Sequence, residues 1–122
     1  MKIIYVPDDD PRNPEHDGWV GVRHGVIPTI FIRERASGNL ALISHEEEHI
    51  KQAWRGLIVF HWIGYKYSKS YRYDCEIAAY RAQLQHYHGV VRREKAKAFV
   101  DFIGTRYGLD VDYQQALIDL GE

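Results

Sequence analysis

The sequence holds a single cysteine, Cys75, so no disulfide can close within the chain and nothing argues for an oxidising compartment. It also lacks a long apolar run. No stretch approaches the roughly 18 residues of a membrane span, and the opening Met-Lys-Ile-Ile-Tyr-Val-Pro is too short for a secretory leader. The expected location is therefore the cytoplasm, with no membrane partner. A charge excess is missing as well: 16 Lys and Arg face 17 Asp and Glu for a net charge of -1, and neither half of the chain is strongly biased. This removes the cationic field of a dedicated nucleic-acid binder, so no nucleic acid is expected as partner. Repeats, low-complexity tracts and interdomain linkers are absent too. The 122 residues read as one domain spanning 1–122, expected as a monomer.

What is present is a globular composition, 45% hydrophobic and 13% aromatic, with seven histidines as the one unusual count. The first third has β character. Lys2 to Val6, Trp19 to Val22 and Ile27 to Arg33 are strand candidates, separated by a Pro- and Asp-rich loop over 7–14 and a tight turn at Arg23-His24-Gly25. In the last strand Ile30 and Ile32 alternate with Phe31 and Arg33, as expected when one face is wetter.

After Arg35-Ala36-Ser37-Gly38-Asn39 the apolar period changes from 2 to 3.6. A helix is expected from about Leu40, capped by Asn39 rather than Ser44, with Gly56 to Gly64 as its buried end. Tyr65 to Tyr73, a mixture of Tyr, Lys, Ser and Arg, reads as an irregular connection lying over the cleft. Further helices are expected from Asp74 to His88 with Gly89 as stop, from Val91 to Tyr107, and from Asp110 to Gly121. The fold class is α+β, a short sheet followed by a helical remainder.

His45-Glu46-Glu47-Glu48-His49 matches H-E-x-x-H within the first of these helices. Composition alone would produce about 0.03 such matches in a chain of this length. Four residues is just over one turn, so both imidazoles leave one face and can grip one ion. Zinc suits imidazole. Glu46 lies about 100° round the helix, off the ligand set but within reach of a metal-bound water. There it would act as general base in hydrolysis of a peptide or protein substrate.

A catalytic zinc needs a third protein ligand and an open position. Arg55 and Gln52 stand where a metzincin would have its third His and its Gly. His61, on a continuing helix, would lie about 18 Å beyond His49 and off its face, so it reads as a packed core histidine. Gly104-Thr105-Arg106-Tyr107-Gly108 is similar to an aspzincin element but lacks the aspartate. Asp74, Cys75 and Glu76 remain, with Cys75 read as a buried inert thiol.

His45 to His49 with Ile50-Lys51-Gln52, together with Glu76-Ile77-Ala78-Ala79-Tyr80-Arg81-Ala82-Gln83, resembles the gluzincins, and most of all the small zinc-metallopeptidase-like proteins of phages and bacteria. The resemblance covers about residues 27–88. It implies a zincin-like fold, one zinc ion bound by His45, His49 and Glu76, Glu46 as base, and Thr29 to Arg33 as the sheet edge that pairs with an extended peptide. The sequence departs from the family where an orienting aspartate is expected, because that position is Tyr80. Candidates for stabilising an oxyanion are Tyr80, Tyr73, His86 and Tyr87. The alternative reading is a non-catalytic zinc module that binds a protein partner.

Overall fold

Residues 3–23 and 27–122 are described by a computed structural model of the chain. Among them three strands at the N-terminal end precede five α-helices, an α+β arrangement. Strands β1 (Ile3–Val6), β2 (Gly18–Arg23) and β3 (Ile27–Arg33) form one sheet in the order β1-β3-β2. β1 runs parallel to β3 and β2 antiparallel to it. Lys2, with His24 and Gly25 of the expected turn, falls outside the described residues.

The order corrects the expectation that Thr29 to Arg33 is a sheet edge. β3 is the central strand, its backbone groups engaged by β1 and β2, and the open edges belong to those two neighbours. The expected wet face is corrected as well. Ile30 and Ile32 pack with Ala36, Ile43 and Ile50 on one side, while Phe31 packs with Val6 and Trp19 on the other. Arg33 is only 1% exposed. Its guanidinium donates to the carbonyl oxygens of Asp8, Asp10, Arg12, Asn13 and His16 at 2.6–3.1 Å, so one buried cation gathers the 7–17 loop over this face.

Helix α1 (Leu40–Arg55) starts where expected, with Asn39 Oδ1 accepting from the Leu42 amide at 3.1 Å. It does not continue through Gly64. Leu57 and Ile58 take φ of 53° and 54°, and the Val59 amide donates to the Leu57 carbonyl at 2.6 Å across a γ-turn. Helix α2 (Val59–Tyr67) then begins. Gly56 permits the reversal, since a Cβ there would meet His61 Cβ at 2.8 Å. The expected buried helix end is thus overturned: Leu57, Val59, Phe60 and Ile63 are all more than half exposed.

The irregular connection expected over Tyr65 to Tyr73 is helical apart from Ser68. Ser68 Oγ caps α3 (Lys69–Leu84) by accepting from the Tyr71 amide, and the Arg72 guanidinium donates to the carbonyls of Tyr65, Lys66 and Tyr107. A tyrosine-lysine mixture has no apolar stripe to reveal such a start. α3 ends at Leu84, and Gly89 opens α4 (Gly89–Arg106) rather than merely stopping its predecessor. With α5 (Tyr113–Asp119), these helices enclose a core of Ile77, Tyr80, Leu84, Phe99, Val100 and Ile103.

Candidate metal centre

The two halves of the chain meet at three side chains. α1 presents His45 and His49 from successive turns, and α3 presents Glu76, which is fully buried. His45 Nε2 and His49 Nε2 are 3.2 Å apart. Glu76 Oε1 is 3.5 Å from the former, and Glu76 Oε2 is 3.2 Å from the latter. All three ligand atoms lie within 4.8 Å of one another, a group that could hold a metal ion. Of the alternatives at the start of this segment, Asp74 is exposed, and Cys75 is buried with its thiol pushed up to about 11 by burial.

The charges of the three residues are coupled. Burial alone would lower His49, but the Glu76 carboxylate, helped by Glu46 and Gln52, outweighs it and pushes the imidazole up to about 9. Burial alone would raise Glu76, yet His49 and His45 hold its carboxyl well below the carboxylate range. Among the described residues Glu76 Oε1 and His45 Nδ1 are buried without a hydrogen-bond partner. Two imidazoles and a carboxylate thus face one another as a donor set that could hold a cation.

Gln52 orients His49. Its amide nitrogen donates to the Cys75 carbonyl at 3.0 Å, which leaves Oε1 facing His49 Nδ1 at 2.9 Å. Nδ1 then carries the proton, and Nε2 is the atom turned to Glu76. Tyr65 donates its hydroxyl to Glu76 Oε2. Tyr80, in the place of an orienting aspartate, sets its ring against His45 with centroids 4.3 Å apart and shares a hydrogen bond with Tyr107 instead.

Comparisons against protein-family models, curated proteins and solved structures each find no match.

A cleft of about 190 Å³ opens on the three residues, walled by Glu46, His16, Trp19, His61, Tyr65 and Tyr107 among others. A second lobe of about 270 Å³ shares His16, Gly18, His45, Glu46 and Tyr107 with it. Glu46 faces both lobes and makes no side-chain hydrogen bond among the described residues; burial raises its carboxyl above the ordinary range.

His61 is buried and bonded to Tyr71 at 2.7 Å, as a satisfied histidine should be. It is nevertheless close to the group, because the break after α1 folds it back towards His49. The remaining candidates divide. Tyr73 donates to Asp119, His86 bonds Ser44 at 2.6 Å, and Tyr87 packs on the helical core; none of these lines either lobe of the cleft. Gln52, three residues after His49, was legible from helix spacing. His16 carried no sequence signal; Tyr65 lay in a segment expected over the cleft and Tyr107 in the aspzincin-like segment, but neither was singled out as a site residue.

Proposed function

We propose that this chain is a zinc-dependent hydrolase of peptide bonds with a zincin-like build, in which His45, His49 and Glu76 bind one zinc ion and Glu46 is the general base. The observation carrying this reading is the spacing of the three ligand atoms. Tetrahedral zinc with bonds of about 2.0–2.2 Å separates its ligand atoms by about 3.3 Å; here the two Nε2 atoms are 3.2 Å apart, and each lies 3.2–3.5 Å from one or the other oxygen of the Glu76 carboxylate. Among the described residues no fourth His, Cys, Asp or Glu joins the group, which favours an open catalytic position over a closed structural site.

Zinc in such a site acidifies water and polarises a carbonyl. Glu46 takes the proton from the attacking water at its carboxylate and returns it to the departing amine, a shuttle suited by its raised affinity for protons. An extended substrate pairs along the open edge of β2, whose Gly18, Trp19 and Val20 wall the cleft. Tyr107, which lines both lobes, supplies a phenol for developing negative charge.

The test is metal content and peptide cleavage, read by mass spectrometry on a peptide mixture. The parent should bind zinc near 1:1. Glu46→Gln should keep zinc and lose about 10²- to 10⁴-fold in cleavage, and Glu76→Ala should lose metal affinity. Zinc bound by Glu76→Ala as tightly as by the parent would overturn the ligand assignment.

A further inference from the structure

Helix α2 is two-faced. At 100° per residue, Val59, Phe60, Ile63 and Tyr67 share about 100° of arc, and they are 57, 69, 51 and 75% exposed. Trp54 and Leu57, which immediately precede this helix in the chain, are exposed as well. The opposite arc carries His61 and Tyr65, which wall the metal cleft.

Charge accompanies this patch in one sign only. Between Glu48 and Asp74 the chain has five cations and no acid, whereas the remainder carries eleven cations against seventeen acids. Arg72 is occupied by three backbone carbonyls and Arg55 by Glu48. Lys51, Lys66 and Lys69 are exposed and form no salt bridge among the described residues.

We propose that this surface docks the protein on an anionic lipid bilayer, with Trp54, Leu57, Phe60 and Ile63 at the acyl boundary and Lys51, Lys66 and Lys69 among the headgroups. Counting apolar runs excludes a spanning helix, and no described helix is long and apolar enough to cross; it says nothing of a short helix lying in the interface. A two-fold contact between copies through this face would set like charges against each other. From Trp54 to Ile63 the exposed side chains offer a partner no hydrogen-bonding group beyond Arg55 and the Trp54 indole, and a bilayer requires none. Leu57 holds an unfavourable φ of 53° while its residue is 72% exposed. Because the same helix walls the cleft, docking holds the cleft about one helix diameter, 10–12 Å, from the lipid.

The experiment is co-sedimentation of the full chain with phosphatidylcholine vesicles, with and without phosphatidylserine, alongside sedimentation equilibrium without lipid. The expected result is binding to the anionic vesicles only, reversed by salt. Phe60→Ser/Ile63→Ser should weaken it at least about tenfold, Lys66→Glu/Lys69→Glu at least about thirtyfold, and Val90→Ser, on the exposed face of α4, not at all. All changed positions are exposed, and circular dichroism verifies that each variant folds. No binding to either vesicle, undiminished binding by both double variants, or a parent dimer dissolved by Phe60→Ser/Ile63→Ser would each overturn the proposal. Adding a chelator separates this outcome from the metal reading, because docking requires no metal.

Discussion

A side chain outside the motif decides how one motif residue behaves. Gln52 stands between a backbone carbonyl and His49, and its two hydrogen bonds select the imidazole tautomer. Gln52→Ala should therefore lower metal affinity by about 10–100-fold in a chelator-competition titration while leaving the three ligands in place. Tyr73 illustrates the opposite case, a tyrosine whose role is structural. Its hydroxyl donates to Asp119 at 2.6 Å and ties α3 to α5. Tyr73, followed by Gln115, holds the Asp119 carboxyl below its usual 3.8. A carboxylate with a lowered folded pKa contributes stability above its unfolded value and loses it as pH falls through the folded one. Tyr73→Phe should thus cost under about 1 kcal/mol near neutrality, the surface position limiting the gain, and the difference should shrink in denaturation measured below pH 3.8.

At the scale of elements, the break between α1 and α2 shapes the site more than any helix does. Periodicity made Leu40 to Gly64 look continuous because the apolar residues after Gly56 are numerous enough to satisfy a helical pattern in any phase. Two consecutive residues in the left-handed region, Leu57 and Ile58, end it instead and return His61 and Tyr65 to the cleft. Leu57→Gly should raise stability by about 0.5–1 kcal/mol in chemical denaturation, since an exposed leucine contributes little burial and its φ of 53° suits glycine. A loss of stability would show that the Leu57 side chain is covered in solution. The sheet carries a similar lesson. Ile27 to Arg33 was readable as a strand, but strand order is not a property of the strand's own residues, and its central position follows from pairing with β1 and β2.

At the scale of the whole molecule, two of the packed clusters meet at one junction. The sheet and α1 form one, α3, α4 and α5 the other, and His45, His49 and Glu76 lie where α1 meets α3. A cation bound to both helices stabilises the native chain by an amount set by its concentration over its dissociation constant, about 2.7 kcal/mol at a hundredfold excess. Adding a chelator should lower the melting temperature of the metal-loaded protein by several degrees in calorimetry, and Glu76→Ala should remove the dependence on metal.

The residues by themselves determined the class of elements, the α1 cap at Asn39 and the pairing of His45 with His49, because each depends on neighbours within a few positions along the chain. They also made Glu76 a candidate through its resemblance to a known pattern. Tertiary structure alone decided that Glu76 completes the group, that Arg33 is buried beneath a loop, that Tyr65 and Tyr107 reach the cleft, and that the apolar face of α2 is left uncovered. The physical reason is one of range. Caps and periodicity act over a turn of helix, whereas these contacts join residues 11 to 35 or more positions apart, whose meeting is set by how whole elements pack.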